Sequence, residues 1–161
     1  MARIAGCLMA LSVGACAGTR PVPAPLDACA EPSSTMAGAK AQSLLQGVLK
    51  IYLPPEYIRQ DPSENGPAEV WLAAGQGVVA IDRLRLAPAR ADSIRASGCR
   101  KVLAGRQAYV RTGWGGDFEP GYSISAAWEE APDDWIYVVA IAQTYASHAA
   151  QFEALHTLRV P

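Results

Sequence analysis

The stretch Trp135-Ile136-Tyr137-Val138-Val139-Ala140-Ile141-Ala142 constrains this 161-residue chain more than any other part of it. The run is continuously apolar, so it shows no alternation between a wet and a dry face. It is also far short of the ~20 residues that a membrane-spanning helix requires. It reads as a strand buried on both faces, at the centre of a sheet. A sheet whose middle strand is covered on both sides needs helices on both faces.

The flanking sequence supplies those elements. Ser33, Ser34 and Thr35 are N-cap candidates for a first helix running to about Gln46, with Gly47 just past its end and Met36, Ala39, Leu44 and Val48 as a loose stripe. Ser147 caps a C-terminal helix whose stripe holds Phe152, Leu155 and Arg159. Between them, 48–53 alternates, with Leu49, Ile51 and Leu53 on one face, and Pro54-Pro55 stops it. Stretches 69–74 and 78–86 make a hairpin about Gly75-Gln76-Gly77, with Val78, Ala80, Leu84 and Leu86 sharing an apolar face with Asp82. A short polar helix follows over 88–97, and 98–103 with 106–112 flank Ala104-Gly105 as a second hairpin. Over 122–129, Tyr122, Ile124, Ala126 and Trp128 point inward while Ser123, Ser125 and Glu129 point outward.

The expected domain, residues 33–161, is α+β: a mostly antiparallel sheet of about six or seven strands with an N-terminal and a C-terminal helix packed on it. One order of elements is shared with a known family. An opening strand ends at Leu53-Pro54-Pro55, a hairpin centres on Gly105, and a long strand runs into a helix ending Leu155-His156-Thr157-Leu158-Arg159. In this, residues 48–161 resemble the PsbP-like small domains. The resemblance implies the same fold and, by analogy, a non-enzymatic accessory role.

The N-terminus carries an address. Arg3 and the terminal amine precede an apolar run over 4–13, and Gly14, Ala15 and Ala17 are the small residues a signal peptidase needs. Val13-Gly14-Ala15-Cys16 resembles the bacterial lipobox, with Val13 where leucine is more usual. The resemblance implies a signal peptide over 1–15 and a mature chain that begins with lipid on Cys16; several acyl chains there make the anchoring stable. Ala17 after Cys16, by resemblance to enterobacterial sorting, favours the outer membrane over the inner, with the domain facing the periplasm. Ala15-Cys16-Ala17 also fits ordinary secretion without lipid. Residues 16–32, with Pro21, Pro23, Pro25 and Pro32, read as a lipidated semi-extended tether.

Four cysteines fall into place against that address. Cys7 leaves with the signal and Cys16 takes lipid, so Cys29 and Cys99 remain, in an exported chain an expected disulfide. After loss of the signal the chain keeps 13 basic and 15 acidic side chains. That balance gives no electrostatic case for nucleic acid as a partner.

Motifs for chemistry are scarce. His148 and His156 stand eight apart, too far to chelate one metal as an i, i+4 pair would, and Asp61, Glu64 and Asn65 lack calcium-loop spacing. Gly113-Trp114-Gly115-Gly116-Asp117 matches neither phosphate-binding fingerprint and reads as a turn. No nucleophile motif occurs, so no catalytic residue, metal or cofactor is expected. The expectation is an accessory lipoprotein that binds an envelope protein partner. The alternative is a small-ligand or glycan-binding lipoprotein with an aromatic surface near Trp114, drawing on Tyr109, Arg111 and Asp117. A third, weaker reading is a hydrolase using Asp82, Asp117 or the acidic turn of Glu129-Glu130 and Asp133-Asp134. Of the tryptophans, Trp114 is the one expected at the surface.

Overall fold

The computed structural model of the protein describes residues 22–33, 38–61, 67–115 and 121–161. The expected signal peptide, Cys16 and Asp117 lie outside the described residues. Among those described, β1 (Lys40–Leu44) and β2 (Leu49–Leu53) pair as a hairpin of their own. The other strands are β3 (Ile58–Gln60), β4 (Glu69–Ala73), β5 (Gly77–Arg85), β6 (Cys99–Leu103), β7 (Arg106–Trp114), β8 (Tyr122–Ala131) and β9 (Asp134–Ala142). They form one antiparallel seven-stranded sheet in the order β3-β4-β5-β9-β8-β7-β6. Helix α1 (Pro88–Ser97) links β5 to β6, and α2 (Tyr145–Leu155) follows β9. The fold is α+β, as expected, and no described helix is long and apolar enough to cross a membrane.

The apolar run of β9 lies fourth of seven, at the middle of the sheet. On the first face Trp71, Val79, Ile81, Ile124, Trp128, Ile136 and Val138 are buried. The β1–β2 hairpin and α2 cover them through Leu44, Leu49, Ile51, Leu53, Phe152 and Leu155. Fully burying each such side chain contributes about 1.5–3 kcal/mol, so this layer dominates the stability. One polar side chain crosses it. Gln151 of α2 donates from Nε2 to Tyr57 Oη at 2.9 Å and to the Ile141 and Val78 carbonyls at 2.9 and 3.2 Å. It reaches them because residue 77 is glycine: a Cβ there would lie 2.1 Å from the Ile141 carbonyl oxygen and 2.8 Å from Gln151 Nε2. Ala104 and Gly105 both have positive φ, 51° and 74°, the geometry that joins β6 to β7 in a two-residue hairpin turn.

Several expectations need correction. The first helix is absent from the described part of its range: 40–44 is strand β1, and Gly47 is a turn residue at φ 92°. A glycine at positive φ suits a helix end and a hairpin turn equally, so Gly47 did not discriminate. The cover on the first face therefore comes from a hairpin. Thr144, not Ser147, caps α2: its side chain accepts from Ser147 N–H at 3.1 Å. Arg159 lies beyond the helix and is exposed, its backbone bridging to Lys50. On β5 Val78, Ala80, Asp82 and Leu84 do share a face, with Leu86 following on it, but it is the α1 face, while Val79 and Ile81 lie in the main core. Both parities of Val78-Val79-Ala80-Ile81 are apolar, so alternation could not choose between them.

Residues 22–33 are laid along the body instead of hanging free. The Tyr122 hydroxyl donates to the Pro23 carbonyl at 2.9 Å, and the Thr112 hydroxyl donates to the Leu26 carbonyl. Lys101 Nζ reaches the Ala30 carbonyl at 2.9 Å and Glu31 at 2.7 Å, holding the Glu31 carboxyl below its usual pKa. Ser33 donates to Glu153, and the Cys29–Cys99 disulfide closes the stretch onto β6.

Candidate functional site

Among the described residues, the second face of the sheet is covered only at one end. Helix α1 carries the chain from β5 to the far edge strand β6, the crossover that two parallel strands need. In crossing it seats Ala91 and Ile94 against Leu86, Ala127 and Trp135, with Leu84, Tyr109 and Tyr137 packed alongside. Beyond that row the face is open. Strand register places Ile58, Leu72, Val78, Ile141, Ser123 and Gly113 in one row across six strands. The next row holds Gln60, Val70, Ala80, Val139, Ser125 and Arg111. Leu72 is 46% exposed and Ile141 41%, although both sit on interior strands. This corrects the reading of β9: central it is, but buried on both faces only near Trp135 and Ile136.

The open half is an apolar field of the exposed Leu72 and Ile141 and the half-buried Val78, Val70, Ala80 and Val139. Serines and Arg111 border it toward β7, and Asp82 borders it toward α1, where its carboxylate accepts from Arg83 N–H at 2.8 Å. Three concavities among the described residues lie elsewhere. A core cavity of about 10 Å³ sits beside Gln151. An open cleft of about 510 Å³ flanks the disulfide, and another of about 680 Å³ lies at the β8–β9 turn. In the latter, Arg83 and Asp134 form a two-pronged ion pair that holds the Asp134 carboxyl below its usual range. The acidic turn is engaged throughout: Glu129 accepts from Arg95 at 2.8 Å, and Glu130 accepts from Trp128 Nε1 at 2.7 Å and Arg106 at 3.3 Å.

A second feature stands at the end of the sheet where β7 stops and β8 and α2 start. Trp114 meets Tyr122 edge-on at 4.6 Å, Tyr145 meets Tyr122 at 5.7 Å, and His148 stacks on Tyr122 at 4.9 Å. His148 is fully buried, and its Nε2 accepts from Leu26 N–H at 3.2 Å. The accepting nitrogen carries no proton, so the proton is on Nδ1, which has no partner among the described residues. Burial pushes its pKa below 6.5.

A histidine kept neutral in the fold binds more protons when unfolded, so its contribution is complete above 6.5 and is lost as pH falls below it. Stability should therefore decline as pH falls below the ordinary histidine range, before the depressed carboxyls of Asp134 and Glu31 titrate. His148→Gln, which keeps an acceptor for Leu26 N–H, should flatten that slope in urea titrations. An unchanged slope refutes the assignment.

The residues singled out as a surface do not form one. Trp114 is 45% exposed at the end of β7 on the α2 side, whereas Tyr109 packs on Trp135 beneath α1 on the opposite face, ring centroids 6.5 Å apart. Arg111 is exposed at the border of the apolar field. Leu72, Val139, Ile141 and Tyr145 went unnoticed in the sequence. Ser123 and Ser125, paired with Ile141 and Val139, were the available signal, since a helix cover would have faced apolar residues there. Among the described residues, no group of three or more His, Cys, Asp or Glu could hold a metal ion.

No protein-family model and no curated protein sequence matches this chain. Solved structures do. A protein of Bacteroides thetaiotaomicron VPI-5482 superposes over 77% of this chain with a TM-score of 0.53 at 11% identity; the match spans about half, 49%, of that longer chain. Cyanobacterial PsbP (CyanoP) from Synechocystis sp. PCC 6803 superposes over 82% of this chain and 98% of its own, with a TM-score of 0.51 at 8% identity. At these identities the likeness is one of fold, and the fold is PsbP-like, in keeping with the order of elements in the sequence.

Proposed function

We propose that this protein is an exported accessory domain, lipid-anchored at Cys16 in the cell envelope, that binds an envelope protein through the open half of its sheet. The observation that carries the reading is the apolar field of Leu72, Val78, Ile141, Val70, Ala80 and Val139 on interior strands. Contiguous exposed apolar surface marks association sites, whereas small ligands are held in concave pockets with convergent polar groups. A sheet face with a few polar groups at its border suits a protein surface of similar shape. The disulfide supports an oxidising compartment, which agrees with export. Paired carboxylates at the β8–β9 turn speak for a structural role there and against the hydrolase reading.

Site-specific photocrosslinking in cells tests the surface. A photoreactive residue at Leu72 or Ile141 should give a discrete adduct with one envelope protein. The same group at Val102, exposed on the edge strand β6 away from the field, should give none. Ile141→Asp should abolish the Leu72 adduct without changing the protein's abundance. No adduct from either position sinks the proposal, and an adduct of twice the chain's mass replaces the partner with a second copy.

A further inference from the structure

We infer that the end of the domain bearing Trp114 and Tyr145 rests on the membrane, its aromatic rings in the phospholipid headgroup layer. The inference rests on anchoring at Cys16, and its main support is where the docked N-terminal segment ends. Pro23 is held by the Tyr122 hydroxyl and Leu26 by His148, which puts Val22, the first described residue, beside this aromatic cluster. Five residues lie between Cys16 and Val22, six residue-to-residue steps. A fully extended chain spans at most about 3.3–3.6 Å per residue, so Val22 lies within about 20 Å of the lipidated cysteine. A free tether from Cys16 to residue 32 would have allowed more than twice that reach. The docked segment removes that freedom and fixes which end of the domain faces the bilayer.

That end has the side chains a membrane interface favours. Trp114 is 45% and Tyr145 39% exposed, and both pack against the buried ring of Tyr122 at this end. Val22 is exposed next to it. Trp and Tyr pair an apolar ring with a polar N–H or O–H and settle at headgroup depth. The apolar field begins one residue from this end, at Gly113, Ser123 and Ile141, but on the opposite face of the sheet from Trp114 and Tyr122.

Trp114 reports the contact by its own fluorescence, because Trp71, Trp128 and Trp135 are buried. With Cys29 and Cys99 bonded, Cys16 is the free thiol of a chain starting at that residue, so it can be joined to a maleimide lipid irrespective of natural lipidation. On phosphatidylethanolamine–phosphatidylglycerol vesicles carrying brominated acyl chains, the anchored protein should show a blue shift and partial quenching of emission. Trp114→Phe should lose both, and the Tyr145→Ser protein should show weaker quenching. Emission unchanged by brominated lipid, with Trp114 as accessible to aqueous acrylamide as in lipid-free protein, overturns the inference. Absence of fatty-acid label on Cys16 in cells instead removes the anchor and leaves the vesicle result to decide the contact.

Discussion

Cys99→Ser, or reduction of the Cys29–Cys99 bond, is expected to lower the unfolding free energy by about 4 kcal/mol and to release residues 22–33 from the body. The bond joins positions 70 apart, and closing a loop of that length removes a large share of the unfolded chain's entropy. Release follows from a comparison of magnitudes. Holding the twelve residues in place costs roughly 1–2 kcal/mol each in backbone entropy. The bonds to Tyr122, His148, Thr112, Lys101 and Glu153 return about 0.5–1.5 kcal/mol apiece, somewhat more where a charge takes part. These bonds alone do not offset that cost; packing of Leu26 and Ala28 against the core and the covalent closure add to them, and loss of the closure shifts the segment toward release. Urea unfolding of the oxidised protein and the serine variant measures the first effect. Cleavage within 22–33 by a broad-specificity protease, under native conditions, measures the second. A variant with the parental midpoint and an uncut segment contradicts both.

The same numbers explain why the docked segment could not be read from sequence. Its composition is that of a tether: prolines and small residues with few large apolar groups. Its attachments are long-range bonds between backbone carbonyls or amides and the side chains of Tyr122, Thr112, Lys101 and His148. No local pattern announces such bonds. The cysteine count alone pointed to them, by leaving Cys29 and Cys99 to pair.

The sheet was legible where one parity was plainly polar. In β2 and β8 the alternation assigned inward and outward residues correctly, including Trp128 inward and Ser123 and Ser125 outward. In β5 and β9 both parities are apolar, and the sequence permitted two interpretations: a second cover, or an exposed apolar face. The first is commoner in folded domains and is the reading that the apolar run of β9 invites; the helix to about Gln46, read from its N-cap candidates and a loose stripe, is absent from the described part of its range. Ala39, Ala41, Leu44 and Leu45 favour helix locally, but β1 pairs with β2 along five residues and places Leu44 in the core. The misreading of β9 and the candidate site have one source. A strand apolar on both sides, with only one side covered, is the surface on which the proposed partner rests.

Trp128→Ala should cost about 3–5 kcal/mol, whereas Trp114→Ala should cost only about 1 kcal/mol. Trp128 is fully buried on the central face and also donates to Glu130, so its loss opens a cavity between the sheet and the β1–β2 layer and strips the carboxylate of one donor. Arg106 keeps Glu130 partnered, which confines the penalty to packing. Trp114 gives up its edge contact with Tyr122 and little else, since nearly half of it already meets solvent. Urea midpoints of the two variants against the parent supply the comparison. Equal losses would mean that Trp114 is a core residue, and the aromatic end of the domain would then have no surface to offer a membrane. A small loss at Trp114, together with quenching by brominated lipid that vanishes in the same variant, would separate a side chain retained for contact from one retained for folding.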